Sequence, residues 1–123
     1  MTMVMKMKIN VLGTAYNVRR VDCGEDEYME KMHFGGYCDA TAKEIVILNL
    51  KSTDGWKNES DAVIQQKEQE TMRHELVHAF LNESGLQWDS MGVDHWAKNE
   101  EMVDWIAIQF PKLLEAFKAA DAL

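Results

Sequence analysis

Two histidines and a glutamate stand together in RHELVHAF, Arg73 to Phe80: His74 and His78 are four positions apart, and Glu75 directly follows the first. On an α-helix residues i and i+4 lie one above the other, so both imidazoles can aim a nitrogen at one point beside the helix. A zinc ion held there, about 2.0–2.1 Å from each nitrogen, would have two of its ligands. Glu75 is turned about 100° further round the helix, which suits a carboxylate that reaches an activated water without displacing it from the metal. Its expected role is general base. Without a metal the same residues are two solvated or core histidines and a surface glutamate, so the chemical reading depends on a third ligand.

Three residues are candidates for that ligand. Glu100, in NEEMVD (99–104), falls near the start of a later helix, and Asp104 follows four residues on along the same face. Glu100 would bind the ion while Asp104 accepts a proton from the far nitrogen of one histidine, an orientation that zinc-bound histidines commonly need. His95, in the loop segment GVDHWAK, would give a three-histidine site, and Glu101 adjoins Glu100. Glu100 is preferred because a helix controls geometry better than a loop does. Acidic residues in a first helical turn also favour the positive end of the helix dipole with no metal involved. The pairing of Glu100 with HELVH and Asp104 is what separates it from that plainer role.

The elements that would carry these groups follow from periodicity and punctuation. Ser60 can cap a helix running to Ser84, with Gly85 ending it, and Met72, Leu76, Ala79 and Phe80 form its core-facing stripe. Upstream, Met5 to Asp22 reads as two extended segments around Gly13, with Tyr16, Val18 and Arg20 on one side of the pleat. The acidic stretch 25–33 suggests a short surface helix with Tyr28, Met29 and Met32 on its apolar side, stopped at Gly35-Gly36. The segment YCDATAKEIVILNL predicts a hairpin of roughly Gly36–Asp39 and Glu44–Leu50. Short connections favour antiparallel pairing. After a loop over 86–98 containing Trp88, His95 and Trp96, a helix from about Asn99 to Phe110 should be buried through Met102, Ile106 and Phe110. Pro111 lacks an amide proton, so it should end that helix and open a third, PKLLEAFKAADAL.

The expected fold class is therefore α+β. Three or four antiparallel strands pack on the HExxH helix, a second helix brings the glutamate ligand, and a C-terminal helix closes a single domain over 1–123. Leu113, Leu114 and Phe117 of that last helix would pack on the core; as an exposed patch they would instead suggest a plain interaction domain.

Composition narrows the partners. The 123 residues are 46% hydrophobic and 28% charged, as in an ordinary soluble domain. Twenty-one acidic residues against 13 basic ones give a net charge of −8, which repels phosphate backbones and argues against nucleic acid. No apolar run has the roughly 20 residues of a membrane span, and the N-terminus lacks a secretory pattern, so a cytoplasmic location is expected. Cys23 and Cys38 are too few for a disulfide framework and are expected as free thiols.

HELVH at 74–78 followed by NEEMVD at 99–104 resembles a zincin of the gluzincin type, in which HExxH is completed by a glutamate on a following helix. The overall pattern is most similar to small phage or prophage metallopeptidases related to the ImmA/IrrE group. The metzincin extension is excluded, since Leu81 and Ser84 stand where it needs Gly and His. The resemblance is carried by about residues 70–111. It implies a minimal zincin-like fold, zinc held by His74, His78 and Glu100, water activated by Glu75, a histidine oriented by Asp104, and a protein or peptide substrate. Larger gluzincins have a second domain with a His or Tyr for the oxyanion; here Tyr37 or His95 would have to substitute. The strand at Tyr37 to Asp39, or its hairpin partner, could offer an edge to an extended substrate. The alternative is a non-catalytic regulatory or binding protein that keeps the fold around a structural metal.

Overall fold

Strand β1 (Lys6–Val11) turns into β2 (Thr14–Val21) through only two residues, Leu12 and Gly13, whose φ angles are 51° and 92°. Two residues at positive φ give the twist that a tight hairpin needs, and Asn10 closes the turn by accepting the Gly13 N–H at 2.7 Å. The computed structural model describes residues 6–32, 35–86, 96–121 and 123. After β2 come helix α1 (Glu27–Met32), strands β3 (Gly36–Asp39) and β4 (Glu44–Leu48), and a 3-10 turn at Leu50–Ser52. Helix α2 (Asp61–Glu83), a 3-10 turn at Trp96–Lys98 and helix α3 (Glu100–Ala119) complete the described chain.

The α+β class and the four strands agree with the expectation, but the sheet is mixed. Its order is β1-β2-β4-β3; the outer pairs are antiparallel and the central pair, β2 with β4, is parallel. The chain passes through α1 and β3 between these two strands, which is enough to carry it across and return it in the original direction. Tyr16 and Val18 of β2, Ile45 and Ile47 of β4 and Val11 of β1 form one buried face, covered by Ala79 of α2 with Met72 and Leu76 beside it. Val21 and Val46 form the other face under Met29 of α1. Cover on both sides explains why Ile45, Val46 and Ile47 are apolar without alternation. Phe80, expected in the core stripe, is instead exposed, as are Tyr28 and Met32 of α1.

α2 begins where Ser60 Oγ accepts the Val63 N–H at 3.2 Å, and Gly85 follows its end at φ +79°. It lies close on the sheet at Gly36: a Cβ there would stand 2.8 Å from Thr71 Cγ2 and 3.1 Å from the Val46 carbonyl oxygen. Only glycine fits that approach.

α3 departs most from the expectation, because it continues through Pro111 as one helix. The carbonyl of Ala107, which would ordinarily accept the N–H of residue 111, accepts the Arg73 Nε–H from α2 instead. Val103 and Ala107 are the buried residues of α3, while Phe110 and Phe117 are exposed and Met102, Ile106, Leu113 and Leu114 are half-buried. Cys23 and Cys38 are free, and no described helix is long and apolar enough to cross a membrane.

Candidate metal centre

His74 and His78 leave α2 one turn apart, and their Nε2 atoms are 3.2 Å from each other. Asn99 caps α3 by accepting the Met102 N–H at 3.0 Å, which starts the helix at Glu100. From there Glu100 Oε1 reaches to 2.8 Å from His78 Nε2 and 3.4 Å from His74 Nε2. Ligand atoms sharing a tetrahedral ion at about 2.0–2.1 Å stand about 3.3 Å apart, so these three atoms outline one face of such a shell.

Asp104, one turn after Glu100, holds Oδ1 2.7 Å from His74 Nδ1. A carboxylate can only accept, so the His74 proton belongs on Nδ1 and the Nε2 of the neutral ring presents a lone pair. Burial pushes His78 below the usual imidazole range, against the pull of Glu100, and so favours its neutral form. Were both rings in their neutral form, at most one proton would lie among these three atoms, all of them able to accept. A cation at their centre would satisfy all three.

Glu75 is 4% exposed, with Oε1 3.9 Å from His74 Nε2. Its pKa is pushed up to about 7, chiefly by burial; His74 opposes the rise, and Glu100 and Asp104 add to it. His74, Glu75 and His78 can hold a metal ion, since their ligand atoms all lie within 4.8 Å of one another. Glu100 nevertheless comes nearer to both imidazoles than Glu75 does to His74.

The group opens into a cleft of about 510 Å³ bounded by α2, the start of α3 and the segment Gly35 to Cys38. β3 is an edge strand. Leu48 donates its N–H to the Gly35 carbonyl at 2.9 Å, so in this register Tyr37 and Asp39 bond to β4. The N–H and C=O groups of Gly36 and Cys38 then point away from the sheet.

His74, Glu75, His78, Glu100 and Asp104 thus come together as their spacing suggested. Glu101 does not line that cleft; it borders a neighbouring depression with Asp104, Trp105 and Ile108. His95 lies outside the described residues. Tyr37 is corrected as an oxyanion donor, because its hydroxyl donates to Asp26 Oδ2 at 2.8 Å, and the same oxygen accepts from Arg19 at 2.9 Å. Burial and that acceptor push the Tyr37 pKa up and hold its proton in place. Gly36 was read from the sequence only as a helix stop and strand start, and Arg73, which bonds to the Ala107 carbonyl, was given no role. The one available hint for Arg73 was the carbonyl that Pro111 strands four residues earlier. Comparison of the chain with protein families, with curated proteins and with solved structures finds no match.

Proposed function

We propose that the protein is a zinc-dependent metallopeptidase of zincin type, as the HELVH and NEEMVD segments suggest. The observation that carries this reading is the triangle formed by His74 Nε2, His78 Nε2 and Glu100 Oε1, with sides of 3.2, 2.8 and 3.4 Å. Two imidazoles and one carboxylate are a donor set of catalytic zinc, whereas calcium and magnesium take oxygen ligands. Three protein ligands leave a position for water or substrate.

Zinc, when bound, polarises a carbonyl and makes water acidic enough to give up a proton near neutral pH. Glu75, buried beside the triangle, would be the group to take that proton and to return it to the leaving amine. Asp104 keeps His74 in the tautomer that presents Nε2. The outward backbone groups of Gly36 and Cys38 would pair with an extended peptide and lay it along the cleft. The net charge of −8 gives basic peptides a mild advantage and discourages nucleic acid.

The test uses untagged protein incubated with excess zinc and then an unstructured protein substrate. One zinc per chain and cleavage that a chelator stops are expected. A protein that takes up no zinc would sink the proposal. Zinc held by four protein ligands with no turnover would favour the non-catalytic binding protein instead.

A further inference from the structure

Glu100 and Asp104 reach the site from positions that packing does little to hold, since their side chains are 64% and 58% exposed. Their placement therefore depends on where the backbone of α3 lies along α2. A slide of one residue along a helix is about 1.5 Å, enough to break contacts of this kind. Something must fix that register.

The face of α3 turned toward α2 carries Glu100, Val103, Asp104 and Ala107, at i, i+3, i+4 and i+7. Ala107 is 1% exposed, and Pro111 deprives its carbonyl of a helical N–H. A buried carbonyl in that state is costly, and it draws in a donor from outside the helix. The donor is Arg73, the residue immediately before His74. One bond from the Arg73 side chain, next to the first histidine on α2, thus reaches the α3 backbone one turn beyond Asp104.

We propose that Arg73 is a positioning residue. By taking the Ala107 carbonyl that Pro111 leaves open, it sets the register of α3 on α2 and so holds Glu100 and Asp104 against His78 and His74. This rests on the metal-site reading above. The proline is part of the device, because with an ordinary residue at 111 the carbonyl would be satisfied within its own helix.

The experiment compares the wild type, Arg73→Met, Pro111→Ala and the double variant. Affinity for zinc alone is measured against a competing chelator, and thermal unfolding is measured without metal. Arg73→Met should weaken zinc binding about tenfold in the chain that keeps Pro111, the scale seen for groups that orient ligands. In the Pro111→Ala background, where no carbonyl is stranded, the same change should weaken it by about twofold or less, the margin within which independent sites add. Arg73→Lys, which keeps a donor, should recover part of the loss. Ile64→Val, in the first turn of α2 and far from the site, should lower the unfolding temperature without changing zinc affinity. Equal losses in the two backgrounds, or none in the chain that keeps Pro111, would overturn the proposal. Should the wild type bind no zinc, the metal reading falls while the unfolding data still decide the clamp: Pro111→Ala must then rescue the stability lost in Arg73→Met, and failure to rescue rejects it.

Discussion

Helix α2 carries two acidic clusters two turns apart, and they are opposite in kind. Glu83 is surrounded by donors: Tyr16 and Lys43 each at 2.7 Å from Oε1, and Thr14 at 3.0 Å from Oε2. The Lys43 hydrogen bond first, and the Tyr16 bond after it, push its pKa down to about 2. Glu75 has imidazoles and carboxylates for neighbours, and burial pushes it up to about 7. The first cluster is complete from within the protein and stitches β2 and the β3–β4 turn to the end of α2. In the second, two imidazoles and a carboxylate converge on one point, an arrangement that a cation would complete. The same side chain on the same helix is held ionised in one place and pushed toward its neutral form in the other because of who its neighbours are.

The sharpest separation of the two is by exchange of each acid for its amide. Glu75→Gln should keep zinc and lose on the order of 10²–10⁴ in kcat, the usual contribution of a general base. Glu83→Gln should leave zinc affinity and kcat unchanged and lower the unfolding temperature, because a neutral amide replaces the carboxylate that pairs with Lys43. Loss of turnover in both would erase the distinction. A smaller effect is expected one step out from the metal: Asp104→Asn should weaken zinc binding by about 10- to 100-fold, measured by chelator competition, since an amide no longer fixes the His74 tautomer as a carboxylate does. The smallest expected effect is on acid stability. Glu83 has a folded pKa near 2 against an ordinary value of 4.5, so its contribution is full above about pH 4.5 and fades as pH falls toward 2. Unfolding measured across that window should show a shallower decline in Glu83→Gln than in the wild type.

Local signals made much of this architecture readable in advance. Ser60 and Gly85 mark the ends of α2, and GYCD and EIVIL pair as a hairpin, because caps and β-branched runs act over a few residues. The pairing of HELVH with Glu100 and Asp104 was readable because one helical turn fixes which side chains share a face. What escaped depends on contacts distant in sequence. The parallel pairing of β2 with β4 follows from where a hairpin docks, and no residue in either strand encodes it. Pro111 reads as a helix end unless one knows that Arg73 supplies the missing donor. Phe80 and Phe110 fit the helical period yet face outward, while small Ala79, against the sheet, and Ala107, on the face of α3 turned toward α2, are buried. Tyr37 was misread since its face of β3 depends on register, which turns its phenol toward α1 and Asp26.

The missing side chain of Gly36 has a consequence for distance. Thr71 Cγ2 occupies the space where a Cβ would project, three residues before His74, so the helix bearing both imidazoles rests almost directly on the backbone of the outermost strand. The distance between that strand and the helix face bearing the histidines is thereby set by a hydrogen atom. Any bulkier residue at 36 would prise the two apart and widen the cleft between strand and helix.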